Sequence, residues 1–246
     1  MKKYIFSVLL ICSFIISSGC SSASEQQIDA HQYKSFWIWG NISSAPYLSE
    51  ANEIYILQGE MNIEKNRQIS VFSRQGIAPF PPKSMQRQKV WIVIRSHHLA
   101  WSHENIHQVL SKLKQWELKG HDVIGLQIDF DSPTHNLKTY ARFLQAFRKQ
   151  LPTQYQLSIT GLLDWTNIQD SETLSLLKEN IDELVIQTYQ GTHTVPDYAL
   201  YLSKISKLQL PYKLGLVQHG MWKAPIFLEK DQNFKGYVVF LLRTKV

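Results

Sequence analysis

The chain has 246 residues, a formal net charge of +6 and a 44% share of hydrophobic residues. This composition supplies a full hydrophobic core, which excludes a disordered or collagen-like chain, and the length predicts one or two domains. The basic residues are spread without a run of five, so no nucleic-acid partner is expected. The two cysteines, Cys12 and Cys20, lie near the start. The rest of the sequence therefore has no thiol for a disulfide, a zinc–thiolate site or a nucleophile.

Residues 1–19 have the pattern of a signal peptide. Lys2 and Lys3 form a short basic start, and residues 4–16 are almost wholly apolar, which is shorter than the roughly 20 residues needed to span a bilayer. The following Ser-Ser-Gly-Cys20 resembles a bacterial lipobox, in which the Cys is lipidated and becomes the new N-terminus. Ser17 stands where that pattern prefers Leu. The alternative is an ordinary secretory signal with an incidental Cys.

We expect Cys20 to carry the lipid, because no later Cys exists to compete for that role. Ser21 in place of Asp after the Cys resembles outer-membrane sorting in proteobacterial lipoproteins. The sequence therefore predicts a lipid-anchored protein of the bacterial cell envelope, on the outer membrane and facing the periplasm. Residues 20–32 are predicted to be the lipidated Cys with a polar tether, and residues 33–246 to be the folded domain.

Eight apolar runs with strand character follow one another along that domain. They occupy residues 36–39, 54–57, 90–95, 123–129, 156–160, 183–188, 213–217 and 236–242. Helical patterns lie between several of them. Ser102 is a predicted cap for the first helix, Pro152 ends the second, Ser171 opens the third and Pro196 occupies the first turn of the fourth.

From the third run to the seventh, the centres recur roughly every 27–34 residues, the length of a βα repeat. The sequence therefore predicts an α/β protein with a (β/α)8 TIM-like barrel. We expect a short first βα unit, because the first two runs are too close for a full helix. We also expect no helix after the eighth run, because the sequence stops at Val246. The alternative is a doubly wound open sheet, although no GxGxxG or P-loop accompanies it.

The end of the fourth run is the strongest candidate for a functional site. Alternation along a strand puts Gln127, Asp129 and Asp131 on one face, with the two carboxylate Cα atoms roughly 6.6 Å apart. At that separation one charge raises the pKa of the other, which is how an acid–base pair is made. The alternative is that Asp131 caps the loop while Asp129 pairs with a neighbouring cation.

Residues 125–133, the strand end Gln187-Thr188-Tyr189 and the Trp-rich first run resemble DUF3142, a bacterial family of unassigned function often carried by lipoproteins. More distantly they resemble the chitinase-like glycoside hydrolases of family 18. In those barrels the fourth strand ends in DxxDxDxE, and the final Glu is the general acid. Asp129 and Asp131 match the DxD, whereas Pro133 occupies the position of the Glu. If hydrolysis occurs, Asp131 or an acid from another strand must donate the proton.

Other strand ends supply the remaining candidates. We predict Asp131 as the general acid, Asp129 as the neighbour that tunes it, and Glu60, on one face with Gln58, as the second carboxylate. Arg95 shares a face with His97 and is expected to orient the aspartates, or else to form a purely structural ion pair. The other predicted substrate-binding residues are Gln187, Tyr189, Trp165, His219 and Trp39. In chitinase-like barrels a Tyr at the position of Tyr189 holds the reacting group. For Trp165 and Trp39 the alternative is a place in the core.

These residues favour a barrel that acts on a carbohydrate of the cell envelope or of an exopolysaccharide. The alternative is a non-catalytic glycan-binding or scaffold lipoprotein on the same barrel. No cofactor is expected. No metal site is expected either, because His97 and His98 are adjacent on a strand and face opposite ways. We expect a monomer whose partners are the membrane, through Cys20, and a glycan.

Overall fold

In the computed structural model, the eight apolar runs form parallel strands of one sheet. The structure describes residues 24–40, 46–79 and 88–242. The strands are β1 (Ser35–Ile38), β2 (Glu53–Glu64), β3 (Lys89–Ser96), β4 (Asp122–Asp129), β5 (Gln156–Leu162), β6 (Glu183–Gln187), β7 (Tyr212–Val217) and β8 (Phe234–Phe240). Each pairs in parallel with the next strand along the chain.

The sheet closes on itself at β1. Trp37 of β1 lies opposite Phe240 of β8 on one side and opposite Tyr55 of β2 on the other. The predicted (β/α)8 TIM-like barrel is therefore confirmed, and the open doubly wound sheet is excluded because β1 has a partner on both edges.

In the described part of the chain, four α-helices pack around the barrel: α1 (His103–Leu118), α2 (Leu137–Arg148), α3 (Ser171–Asn180) and α4 (Tyr198–Leu202). The helix α1 begins at the predicted cap, where Ser102 Oγ accepts from the Asn105 backbone N–H and the Asn105 side chain accepts from the Ser102 N–H. Its apolar stripe of Val109, Leu113 and Trp116 is buried against the sheet.

The fourth helix differs from its prediction. Pro196 precedes α4, which begins only at Tyr198 and is followed by a separate 3-10 helix at Ile205–Leu208. The other 3-10 helices are Ala30–Gln32, Pro46–Glu50, Thr134–Asn136, Leu163–Asn167 and Ile226–Lys230. The helix Pro46–Glu50 occupies the short connection between β1 and β2, in agreement with a short first βα unit.

The strand β2 continues beyond the barrel into a hairpin that was not predicted. Its outer half pairs antiparallel with the strand Ile69–Arg74. The Asn105 side chain connects this arm to the start of α1, since its Nδ2 donates to the Ser70 backbone carbonyl at 3.4 Å. Among the described residues, two short antiparallel pairings lie outside the barrel sheet. Tyr189–Gln190 pairs with His193–Thr194, and Gln26–Gln27 pairs with Met221–Trp222.

Large aromatic rings fill the middle of the barrel. Tyr55 and Trp91 stack there with ring centroids 5.7 Å apart, and Trp37 meets Tyr55 edge to face. The space for two of these rings comes from glycines. A Cβ on Gly215 would lie 2.6 Å from the Trp37 ring, and a Cβ on Gly125 would lie 2.5 Å from Trp91. The interior is therefore a packed core with no open pore.

A buried ion cluster lies at the end of the barrel where the strands begin. Lys213 forms ion pairs with both Glu53 and Glu183, and its ammonium also donates to the Tyr55 hydroxyl at 2.9 Å. Burial lowers the pKa of Lys213, but the two carboxylates outweigh it, so the pKa is raised. Ser158 extends the network from Glu183 towards Gln127. These contacts connect β2, β4, β5, β6 and β7 across the interior.

Part of the predicted tether is folded onto the barrel. Residues 26–32 include the paired Gln26–Gln27, and Ile28 and Ala30 are buried in the main core. The ordered domain thus begins before Tyr33. The signal peptide, Cys20 and most of the Pro-rich residues 78–82 lie outside the described residues. Within the described part, no helix is both long enough and apolar enough to cross a membrane.

Candidate functional site

The strand β4 carries two carboxylates to the end of the barrel where the strands finish. Asp129 is its last residue and is only 4% exposed, whereas the side chain of Asp131, two residues later, is 58% exposed. Gln127 lies deeper, between Trp37 Nε1 at 2.6 Å and Ser158 Oγ at 2.9 Å. The predicted alternation therefore places a buried amide at Gln127, a buried carboxyl at Asp129 and an exposed carboxyl at Asp131.

Asp129 is held by polar side chains from neighbouring strands. Thr160 Oγ1 of β5 donates to Asp129 Oδ1 at 2.7 Å, and Gln187 Nε2 of β6 donates to the same oxygen at 3.4 Å. Burial raises the pKa of Asp129 to about 6. The hydrogen bond from Thr160 opposes this rise, and the charge of Asp131 adds to it. Asp129 is therefore a carboxyl that exchanges its proton close to neutral pH.

Arg95, near the end of β3, lies between the exposed carboxylate and an aromatic ring. Its Nη2 is 3.6 Å from Asp131 Oδ2, and its guanidinium carbon is 5.1 Å from the centroid of the Trp39 ring. The positive charge of Arg95 also lowers the pKa of Asp129, against the larger effect of burial. The sequence left two alternatives for Arg95, orientation of the aspartates or a purely structural ion pair. In the structure, the partner of Arg95 is Asp131.

Glu60 and His97 lie beside Arg95 at the same end of the barrel. His97 Nε2 is 3.9 Å from Glu60 Oε2, and Glu60 lies opposite Arg95 in the β2–β3 register. The predicted common face of Gln58 and Glu60 is wrong, because a bulge between Leu57 and Gly59 inserts Gln58 as an extra residue. Gln58 points outward instead, where its Oε1 accepts from Trp116 Nε1 at 2.8 Å.

An aromatic wall, which we define as Trp39, Tyr189 and Phe240, completes the same end of the barrel. The rings of Tyr189 and Phe240 stack at 5.7 Å, and Trp39 meets Phe240 edge to face at 5.4 Å. Burial raises the pKa of Tyr189 well above its ordinary value, and Asp129 and Asp131 add to the rise. Its hydroxyl therefore stays protonated and remains a hydrogen-bond donor.

Two predicted substrate-binding residues lie elsewhere. Trp165 is fully buried, its Nε1 donates to the Ser132 carbonyl at 2.7 Å, and its ring meets Tyr140 edge to face, so its predicted role in sugar stacking is wrong. His219 sits in a left-handed turn (φ 66°) beside a separate cavity of about 210 Å³. Neither Asp129 nor Asp131 lines that cavity.

Pro133, which stands where the chitinase-like family has its general-acid Glu, lies in a structured turn. Pro133 precedes the 3-10 helix Thr134–Asn136, whose first residue donates both its backbone N–H and its hydroxyl to Asp164 Oδ2, at 3.1 and 2.6 Å. This turn orders the chain directly after Asp131. The Pro133 ring supplies no acid to replace the Glu.

The side chains of His97 and His98 diverge, as alternation requires. His98 Nδ1 accepts from the Ala100 N–H at 3.1 Å and its Nε2 lies 3.4 Å from Ser70 Oγ, whereas His97 faces Glu60. In the described parts of the chain, no group of three or more His, Cys, Asp or Glu side chains is arranged to hold a metal ion.

The sequence did not single out Thr160 or Phe240. Thr160 is the inward residue of β5 two positions after Ser158, so alternation along that strand was an available signal. Phe240 is the last residue of β8, and only its neighbours Trp39 and Tyr189 make it part of the site.

Solved structures that this chain resembles include the following two. The spore cortex-lytic enzyme SleL of Bacillus cereus shares 15% identity with a TM-score of 0.46, over 68% of this chain and 44% of SleL. Concanavalin B shares 11% identity with a TM-score of 0.47, over 87% of this chain and 94% of concanavalin B. The chain thus spans less than half the length of SleL. A comparison with curated proteins gave no match.

A comparison with protein families gave one match. Residues 88–209 match the family described as Domain of unknown function (DUF3142). This range runs from the residue before β3 to the one after the 3-10 helix Ile205–Leu208, and it contains both Asp129-Phe130-Asp131 and Gln187-Thr188-Tyr189. The predicted resemblance to DUF3142 is therefore confirmed over residues 88–209.

Proposed function

We propose that the end of the barrel formed by Asp129, Asp131 and the aromatic wall binds a carbohydrate and hydrolyses a glycosidic bond in it. One observation carries this proposal: a buried carboxyl at the end of β4, with a pKa raised to about 6, is followed two residues later by an exposed carboxyl. Glycoside hydrolysis uses a pair of carboxyl groups, one of which holds a proton near neutral pH.

The surrounding side chains suit a sugar ligand. Sugar rings present both C–H faces and hydroxyl groups, so they bind against aromatic rings flanked by polar side chains. The wall of Trp39, Tyr189 and Phe240 supplies the rings. Gln187 and Arg95 supply N–H donors, and Tyr189 supplies an O–H that stays protonated.

In the proposed reaction, Asp131 is the member of the pair that reaches the substrate, because it is exposed while Asp129 is buried. The proton that Asp129 holds near pH 6 passes through Asp131 to the glycosidic oxygen as the bond to the anomeric carbon breaks. A water molecule attacks that carbon, and its proton passes to a second carboxylate, for which Glu60 is the candidate. One water is consumed and two hydroxyl-bearing products form.

We further propose that the protein acts from the outer membrane, facing the periplasm, as a lipoprotein anchored through Cys20. Residues 1–19 are then the signal peptide, and the substrate is a glycan of the cell envelope or of an exopolysaccharide. Several acyl chains, at about 0.8 kcal/mol per buried methylene, would anchor the protein stably.

The hydrolysis is tested by incubating the mature protein, solubilised in detergent, with peptidoglycan and exopolysaccharide fractions and assaying new reducing ends. We expect release by the wild type and a loss of at least about a hundredfold in Asp131→Asn, the scale of general acid catalysis. Asp122→Asn is the matched control, because Asp122 is exposed at the opposite end of β4. Equal release by Asp131→Asn and the wild type would overturn the assignment.

The alternative is a non-catalytic glycan-binding protein, and the Arg95–Asp131 contact favours it. A carboxylate held by a guanidinium at 3.6 Å is less available as an acid, and Pro133 replaces the family Glu. This alternative predicts that a glycan fraction binds the wild type without any release of reducing ends.

The anchor has its own test. Cells fed labelled palmitate should incorporate it into the wild type and into Cys12→Ala, because Cys12 leaves with the signal peptide. Cys20→Ala should incorporate none. Equal labelling of Cys20→Ala would overturn the lipid attachment at this residue.

A further inference from the structure

The N-terminal segment is fixed to one side of the barrel. Gln26 and Gln27 pair antiparallel with Trp222 and Met221, and the Ile28 N–H donates to the Gly220 carbonyl at 2.8 Å. Five residues, 21–25, separate Cys20 from Gln26, so six Cα-to-Cα steps join the two. Fully extended, they span at most about 20 Å. A lipid on Cys20 would therefore hold this side of the barrel close to the bilayer.

Exposed apolar side chains lie on the two elements next to this paired segment, α4 and the β7–β8 connection. Seven large hydrophobic side chains are exposed in the described part of the chain, and four of them lie in α4 or between β7 and β8. These four are Leu200 at 68%, Tyr201 at 38%, Met221 at 44% and Ile226 at 80% exposed. We call the surface that they form the anchor flank. Single exposed apolar residues are ordinary, but a group of them beside the segment that follows the proposed lipid attachment indicates a contact surface.

The two parts of the anchor flank are packed together. The ring of Tyr198 in α4 stacks on Trp222 at 4.4 Å. Its hydroxyl accepts from the Lys223 N–H at 2.7 Å and donates to the Lys223 carbonyl at 2.8 Å. The helix that carries Leu200 and Tyr201 is thereby held against the segment that pairs with Gln26.

The charges of the anchor flank suit an anionic lipid surface. Between residues 197 and 230 the exposed ionic side chains are Lys204, Lys207, Lys223, Lys230, Asp197 and Glu229. Glu25 adds one more acidic group beside the attachment point. Each lysine near an anionic bilayer contributes about 1 kcal/mol of attraction. An apolar surface with basic residues at its edge is the pattern of a protein surface that lies on a membrane.

We propose that the anchor flank lies against the lipid surface into which Cys20 is anchored. The barrel is then oriented by two contacts, the lipid chains and the flank, so it cannot rotate freely on its tether. The helix α1, which follows β3 on the opposite side of the ring from the β6–β8 connections, faces away from the bilayer. This inference rests on the proposed lipid anchor.

The experiment uses single cysteines in the mature lipoprotein. Because the chain has only Cys12 and Cys20, and the thiol of a lipidated Cys20 is blocked, an introduced Cys is the one reactive thiol. Leu200→Cys and Ile226→Cys probe the flank. Leu118→Cys is the matched control, since Leu118 is a 76% exposed apolar residue at the end of α1. Each variant is labelled with a polarity-sensitive fluorophore and reconstituted into vesicles of phosphatidylethanolamine and phosphatidylglycerol.

We expect iodide in the aqueous phase to quench the labels at positions 200 and 226 at least about threefold less than the label at 118, because bound lipid excludes the ion. Equal quenching at all three positions, in protein that floats with the vesicles, would overturn the proposed contact between the anchor flank and the lipid. It would not contradict the lipid anchor at Cys20. If the wild type does not float with the vesicles, both the proposed lipid anchor and the proposed contact of the anchor flank are overturned. Protection that grows with the protein-to-lipid ratio would identify a second copy as the occupant and overturn the proposal.

Discussion

At the scale of single residues, the proton on Asp129 is the feature that decides the chemistry. Its carboxyl is buried, so water cannot stabilise the charge, and the hydrogen bonds from Thr160 and Gln187 only partly replace that water. Asp131, two residues away, is exposed and pairs with Arg95. Two identical side chains two residues apart therefore differ in burial and in their partners, which is the kind of arrangement that acid–base chemistry uses.

The raised pKa of Asp129 makes stability depend on pH. The folded protein binds this proton with a pKa of about 6, against an ordinary value of 3.8. The stabilisation by the protonated form is therefore complete below pH 3.8 and is lost as the pH rises through about 6. Relative to Asp129→Asn, the wild type should gain up to about 3 kcal/mol when the pH falls from 7 to 4. Urea unfolding of both proteins at both pH values measures this difference.

The exposed Asp122→Asn variant is the control for that titration, and it should show no comparable change between the two pH values. An Asp129→Asn effect that is the same at pH 7 and at pH 4 would contradict the burial of an ionisable carboxyl at this position.

Removing the hydrogen bond from Thr160 should raise the Asp129 pKa further. The hydroxyl stabilises the ionised carboxylate, so Thr160→Val should move the pKa above 6 by at least about half a unit. Carbon-13 NMR titration of the Asp129 carboxyl measures the pKa directly. Thr166→Val is the control, because Thr166 is also buried but donates to the Leu163 carbonyl. An unchanged pKa in Thr160→Val would show that the hydrogen bond does not favour the charged form.

At the scale of secondary-structure elements, local devices decide which side chains reach the site. The bulge in β2 inserts Gln58 and returns Glu60 to the register of Arg95. The turn after β4 places Thr134 on Asp164, which orders the segment that follows Asp131. The caps of the helices set where each βα connection ends, and therefore where the loops around the site begin.

The capping box of α1 gives a test at this scale. Ser102→Ala removes the acceptor of the Asn105 N–H and should lower the free energy of unfolding by about 1 kcal/mol. Ser111→Ala is the control on the same helix, because its hydroxyl only donates to the Gln108 carbonyl one turn earlier. The control should stay within about 0.5 kcal/mol of the wild type. Equal losses in the two variants, measured by urea unfolding, would mean that the cap contributes nothing specific.

At the scale of the whole molecule, closure of the barrel brings distant parts of the chain together. Trp37 joins the first and last strands, and the ion cluster of Lys213, Glu53 and Glu183 connects residues up to 160 positions apart. The cluster lies at the end opposite the candidate site. In TIM-like barrels, that end contributes to stability, whereas the other end carries function.

Lys213→Met should therefore destabilise the barrel strongly. The substitution leaves two buried carboxylates without their cation, which costs about 3 to 5 kcal/mol. Lys34→Met is the matched control, because Lys34 forms an exposed pair with Glu50 at 2.7 Å and such pairs contribute at most about 1 kcal/mol. Thermal or urea unfolding compares the two. Similar small losses in both variants would show that the cluster is not a stabilising connection.

Much of the fold follows from the sequence by itself. The eight strands were predictable because apolar runs of β-forming residues bounded by turn signals are a local property of the chain. The start of α1 at Ser102 and the common face of Asp129 and Asp131 were predictable for the same reason. The DUF3142 resemblance rested on motifs of contiguous residues, and it too needs no tertiary contact.

Other features depended on contacts between residues far apart in sequence. The position of Trp165, away from the site, depends on its contacts with Ser132 and Tyr140. The outward orientation of Gln58 depends on the register of β2 against β3. The pKa of Asp129 depends on burial and on side chains from three other strands. The local pattern determines which residues form strands and which faces they share. Only the closed barrel decides which side chains are buried, paired or exposed, because those properties come from packing between strands.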